Sequence, residues 1–149
     1  MEVNVINLQD DLSLNISAVK KAAVEIVHFE GWQPDEVTIN FVTTELITEL
    51  HDKFFDDPTP TDCISFPMDG EESIGYQVLG EAFICPESAI IYANDVGGDP
   101  YEETLLYLVH TLLHLMGYDD IEEEDRIAMR AGEARHLENL KSLDITLRP

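Results

Sequence analysis

Between Leu105 and Met116 the chain carries only three strongly polar side chains, His110, Thr111 and His114. A helix that is apolar on every side belongs inside a protein. The segment is therefore expected as a helix over residues 101–116, buried by everything around it. Glu102 and Glu103 fall in its first turn, where the helix dipole favours acids. Burial makes the two histidines costly, because each ring brings two nitrogens that must be satisfied. They lie four residues apart and so share one face. A single ion would satisfy one nitrogen of each. Gly117 then suits a left-handed helix stop, and Asp120 follows three residues later. Two imidazoles, a glycine turn and a further donor make the layout of a three-ligand metal site.

The rest of the chain reads as a scaffold for this turn. At 149 residues and 44% hydrophobic, it has material for one domain, 1–149, with one core. Period-two alternation predicts strands at 3–8 and 36–42. Short strand-like runs at 61–67 and 79–86 flank a loop at 68–75, which suggests an antiparallel pair. Helical spacing predicts a helix over 13–30, closed by Gly31, with Leu14, Ala18, Ala22, Val24, Ile26 and Val27 apolar. A second helix opens at Thr43 or Thr44 and runs to Phe55, with Leu46, Ile47, Leu50, Phe54 and Phe55 inward. Further helices are expected at 86–93, begun by Pro86, and at 121–141. The last has an apolar stripe of Ile127, Ala128, Ala131, Ala134, Leu137 and Leu140. Strands separated by helices imply parallel crossovers. The expected fold is α+β, a mixed sheet of about four strands packed against a central buried helix and its neighbours.

Eight Lys plus Arg against 31 Asp plus Glu give a net charge of −23. Such a surface repels nucleic acid at long range and attracts basic partners. No run reaches the length of a membrane span, and the start, Met1-Glu2-Val3-Asn4, does not open a signal peptide. A cytoplasmic protein with no membrane role is expected, with Cys63 and Cys85 as buried thiols. His28 and His51 read as surface histidines on their helices.

Asp120 has two readings. With Glu123 three residues on it forms a helix N-cap pattern, as Asp119 does with Glu122. Capping thus explains an aspartate here as well as ligation does. The rhythm His-x-x-x-His-x-x-Gly-x-x-Asp resembles that of zinc proteases, giving a zincin-like turn. Those enzymes need a glutamate directly after the first histidine as general base. Thr111 cannot serve, so proteolysis is disfavoured and water activated by the ion becomes the expected nucleophile.

His110-Thr111-Leu112-Leu113-His114-Leu115-Met116-Gly117-Tyr118-Asp119-Asp120 resembles the signature of the YbeY family of bacterial endoribonucleases, His-Gly-x-Leu-His-Leu-x-Gly-Tyr-Asp-His. Thr61-Asp62-Cys63-Ile64-Ser65-Phe66-Pro67 resembles the family's Thr-Asp-Val-Leu-Ser-Phe-Pro, and Leu79-Gly80-Glu81-Ala82-Phe83-Ile84 its Leu-Gly-Asp-Ile-x-Ile. The three motifs come in the family's order and spacing.

The resemblance implies a single α+β domain, one divalent ion and cleavage of single-stranded RNA. The implied setting is maturation of small-subunit ribosomal RNA and ribosome quality control. It assigns His110, His114 and Asp120 as metal ligands. Zinc is the first candidate, and the Asp120 carboxylate, where the family has histidine, leaves manganese or nickel open. Asp119 is expected to orient a histidine or accept a proton, and Ser65 and Glu81 to line the strand side of the cleft. Thr111 stands where the family has glycine, and Phe55 where it usually has arginine. Expected partners are single-stranded or ribosomal RNA, the small ribosomal subunit and a basic ribosomal protein that suits the acidic surface. Two alternatives stand beside the enzyme: a ribosome-assembly binding module with a structural metal, and a metal-dependent hydrolase of another substrate.

Overall fold

The structure, a computed structural model, describes residues 1–70 and 74–149. The elements run β1 (Glu2–Asn7), α1 (Ile16–Phe29), β2 (Glu36–Phe41), α2 (Thr44–Phe55), β3 (Cys63–Pro67), β4 (Val78–Ile84), α3 (Pro86–Val96), α4 (Pro100–Leu115) and α5 (Glu123–Ser142). The sheet order is β1-β2-β4-β3. β1 and β4 both pair with β2 in parallel, and β3 pairs antiparallel with β4. The mixed α+β sheet is the expected one, and the helical crossovers supply the parallel pairs. The loop expected over 68–75 includes 71–73, which lie outside the described residues.

α4 packs on β3 and β4 and touches α1, α3 and α5. Its Leu108, Leu112 and Leu113 are fully buried with Ile26, Ile39, Leu79 and Ile84. Alternation along β3 turns Cys63 and Ser65 toward α4, where the Ser65 hydroxyl donates to the Thr111 carbonyl at 3.3 Å. Ile64 faces the other way, into a smaller cluster with Ile47 of α2 and Cys85. Gly80 on β4 has φ +150°, and a Cβ there would lie 2.5 Å from the Phe66 carbonyl oxygen and 2.8 Å from Leu115 Cδ2. A larger residue would push β3 and α4 off the strand.

Several boundaries and faces differ from expectation. α1 starts at Ile16 because Asn15 caps it, accepting from the Ala18 N–H at 3.0 Å. α3 continues past Ala93 to Val96, since Gly97, at φ +71°, supplies the left-handed stop. Thr43 is the cap of α2, accepting from the Leu46 N–H. Phe54 and Phe55 are each 54% exposed, not inward. They lean on the Phe66 ring instead, with centroids 5.0 and 6.2 Å away.

The largest correction concerns α5. Ile127 is 63% exposed, and Ala128, Ala131 and Ala134 are exposed too. The buried face is Met129, Gly132, Glu133, His136 and Leu140. Gly132 lets α5 approach α4, since a Cβ there would lie 3.1 Å from the Tyr118 ring and 3.2 Å from Leu113. Glu133 and His136 can be buried because each has a hydrogen-bond partner from outside α5, which removes much of the cost of burying a polar group. Cys63 and Cys85 are free thiols, Cys63 partly exposed and Cys85 buried. Among the described residues, no helix is long and apolar enough to cross a membrane.

Candidate metal centre

α4 ends in a turn that its own sequence dictates. Gly117, at φ +99°, donates its N–H to the His114 carbonyl at 3.1 Å, and the Tyr118 N–H reaches the Leu113 carbonyl at 3.0 Å. These two bonds form a Schellman stop, in which glycine takes the left-handed position at low strain. The reversed chain brings two things back to the helix. The Tyr118 carbonyl accepts from His114 Nδ1 at 2.9 Å. Asp120 Oδ2 comes within 3.5 Å of His110 Nε2 and 3.4 Å of His114 Nε2.

The second histidine is held from α5. His110 Nδ1 donates to Glu133 Oε2 at 2.8 Å, and Arg130 Nη1 donates to Glu133 Oε1 at 2.6 Å. Both Nδ1 atoms thus face pure acceptors, a carbonyl and a carboxylate, so both must carry the proton. In the neutral rings the two Nε2 atoms are then lone-pair acceptors. They face each other at 3.0 Å. Two lone pairs and a carboxylate at such distances repel unless a cation lies between them. His110, His114 and Asp120 can hold a metal ion, their donor atoms lying within 4.8 Å of one another. The donor set, two imidazoles and one carboxylate, suits zinc and leaves positions open for other ligands. Outer carboxylate and carbonyl partners on each histidine are the usual companions of such a site.

Asp120 does not cap α5. The N-cap position is Glu122, which makes no side-chain capping bond, so the carboxylate of Asp120 is left to the histidines. Asp119 is exposed, and its Oδ1 accepts the Asp120 N–H at 2.8 Å. It shapes the turn, while the carboxylate that orients His110 is Glu133. Thr111 is buried and donates within its own helix to the carbonyls of Tyr107 and Leu108, both at 2.9 Å.

The centre opens into a cleft of about 760 Å³ between α4 and β3, lined also by Ser65, His51 and Phe55. His51 is only partly exposed, and its Nδ1 bonds the Thr59 carbonyl at 2.7 Å. Glu81 lies outside the lining and accepts from Asn40 Nδ2 at 3.0 Å. The cleft is acidic: Asp62, Glu103, Asp120 and Glu133 all line it. Burial, then the charges of Asp62 and Glu133, push the Glu103 carboxyl above the usual range. Burial opposes the charge of Glu133 as well, but hydrogen bonds from His110 and Arg130 outweigh it and hold its pKa low.

Glu133 and His136 are functional-looking residues that helical periodicity of apolar residues passes over. Their signal was present: with Met129, Gly132 and Leu140 they follow the i, i+3, i+4, i+7 spacing of one helix face. A histidine and a glutamate on a stripe with Met and Leu mark a face that needs partners.

The chain is thus an α+β domain whose central helix ends in a His/His/Asp cluster able to hold a metal ion. The comparisons narrow this description. The family model described as Endoribonuclease YbeY matches residues 4–141. A protein of Protochlamydia amoebophila named Endoribonuclease YbeY is 49% identical over 98% of this chain and 97% of its own. One of the same name from Chlamydia abortus is 40% identical over 92% of this chain and 89% of its own. The fold is similar to the solution structure of TM1509 from Thermotoga maritima, at TM-score 0.64 and 24% identity over 92% of this chain and 87% of that one. This chain belongs to the YbeY family.

Proposed function

We propose that this protein is a metal-dependent endoribonuclease that cleaves single-stranded RNA, acting on small-subunit ribosomal RNA in the cytoplasm. The names of its relatives support the reaction class. One observation supports the metal: His110 and His114 each spend Nδ1 on an acceptor and turn Nε2 toward the other and toward Asp120. An ion held there supplies Lewis-acid polarisation of a phosphoryl oxygen and activation of water. The chain's own residues do the rest. Glu133 fixes the His110 ring, the Tyr118 carbonyl fixes His114, and Asp119 acts as a positioning residue through the Asp120 backbone. Zinc is the favoured ion, with manganese or nickel as alternatives. A basic protein of the small subunit suits the −23 charge as the partner that brings RNA to the cleft.

The test is cleavage of a single-stranded RNA by zinc-loaded protein beside His114→Ala. Cleavage confined to the loaded wild type is expected. Cleavage that persists in the variant would mark a contaminant and end the enzymatic reading. The acidity of the cleft favours one second reading, a ribosome-assembly module with a structural metal. Tight RNA-free association with the small subunit, coupled to no cleavage, would select it.

A further inference from the structure

We infer that Arg130 is the phosphate-binding residue of this cleft, taking the phosphate next to the one at the His110–His114–Asp120 centre. The inference rests on the endoribonuclease reading and names how that site holds its substrate. Four carboxylates line the cleft, and Arg130 is the one Lys or Arg among its described lining residues. Apart from an ion held at the centre, a polyanion entering there meets repulsion from these carboxylates and attraction at this guanidinium. Its side chain is 68% exposed, while Glu133 beneath it is only 5% exposed. Glu133 engages Nη1, and a guanidinium has five N–H donors in a planar fork suited to phosphate oxygens.

The pairing also anchors the group. Arg130 lies one helical turn before Glu133 on α5, and the charge-assisted bond at 2.6 Å holds a flexible side chain at the cleft wall. The geometry selects which phosphate it meets. A carboxylate and an imidazole ring separate Arg130 from the Nε2 atoms. It is therefore placed beside the centre rather than at it, and a flanking phosphate of the same strand is its natural partner.

The experiment compares wild type, Arg130→Gln and Arg130→Lys. Four quantities are read: zinc affinity, KM and kcat of the zinc-loaded proteins on a single-stranded oligoribonucleotide, and, with metal-free protein, the salt dependence of binding to the same strand. Arg130→Gln should raise KM about tenfold, as loss of a charge-assisted contact does, with kcat and zinc affinity nearly unchanged. Its log–log salt slope should fall by about 0.7, one phosphate's worth on a single strand. Arg130→Lys should restore the slope and only part of the KM. An unchanged slope and KM in Arg130→Gln would overturn the inference. So would a zinc affinity that falls in step with activity, because Arg130 would then act only through Glu133 and His110. A wild type that binds the strand through Arg130 but, zinc-loaded, cuts no RNA would support Arg130 and sink the endoribonuclease reading instead.

Discussion

Two carboxylate–histidine pairs, each with one buried member, sit on either side of Tyr118, and they have opposite fates. In the first, Glu133 accepts from His110 Nδ1 at 2.8 Å, and the other nitrogen looks into the cleft at His114 and Asp120. In the second, Glu30 accepts from His136 Nε2 at 2.7 Å, and the other nitrogen, Nδ1, is buried with no partner. Tyr118 links them: its carbonyl accepts from His114, and its hydroxyl donates to Glu30 at 2.8 Å. Arg135 donates to both Glu30 and the Tyr118 hydroxyl. The same chemical pair can support a metal site where its free nitrogen converges with other donors on open space. It is a structural clamp, tying α1 to α5, where that nitrogen is sealed in the core.

This contrast is broken most sharply by removing one histidine from each pair. His110→Ala should abolish zinc binding and activity, by more than the roughly 10–100-fold that loss of an outer partner costs. Its unfolding free energy without metal should change little, since the ring faces the cleft. His136→Ala should do the reverse and destabilise the fold by about 3 kcal/mol, through the cavity left in the core and the hydrogen bond lost to Glu30. Denaturant unfolding beside metal titration separates the two, and a His136→Ala protein that loses zinc while keeping its stability would erase the distinction. Glu133→Gln keeps the shape but weakens the acceptor, and zinc affinity should fall roughly 10–100-fold.

Acid should act on the clamp. Burial keeps the His136 pKa below its ordinary value despite Glu30. For Glu30, burial opposes the charge, but bonds from Tyr118, His136 and Arg135 prevail and hold the carboxyl low. Both shifts have the same sign: the unfolded chain takes up protons first as pH falls. His136 costs stability as pH drops below about 6.5 toward its folded value, and Glu30 below about 4.5, each by at most about 1.4 kcal/mol per pH unit. Unfolding curves of metal-free protein between neutral pH and pH 4 check this, and a His136→Gln protein should lose the upper part of the slope. The smallest effect is Tyr118→Phe, about 1 kcal/mol of stability for losing the hydroxyl's bonds to Glu30 and to the exposed Arg135, with zinc affinity intact, because the backbone carbonyl serves His114. A drop in zinc affinity there would show that the two pairs are coupled through the ring.

Much of this site was legible in the chain. The spacing of His110, His114 and Gly117 states which side of α4 is polar and where it stops, because helix pitch and the glycine stop are local properties. Asp120 was legible only as one of two readings. The capping reading falls because Glu122 takes the N-cap position, and Asp120 lies where, with the two histidines, it could hold an ion. Asp119 was expected to orient a histidine or accept a proton, and in the structure its Oδ1 accepts the Asp120 N–H instead. Glu133, Arg130 and His136 lie on a helix whose alanines suggest a different inner face, and apolar count alone chose wrongly there.

The sequence by itself determined the buried character of α4, the turn that ends it, the strand and helix order, and the mixed sheet. These follow from hydrophobic period and from residues whose backbone preferences act over a few positions. Only the tertiary structure decided which face of α5 is inside and which carboxylate orients which histidine. It also decided that Arg130 is the one Lys or Arg among the described residues lining an acidic cleft. Those outcomes depend on partners far apart in the chain, such as Glu30 and His136 or His110 and Glu133, and a polar side chain can be buried only where the fold delivers its partner.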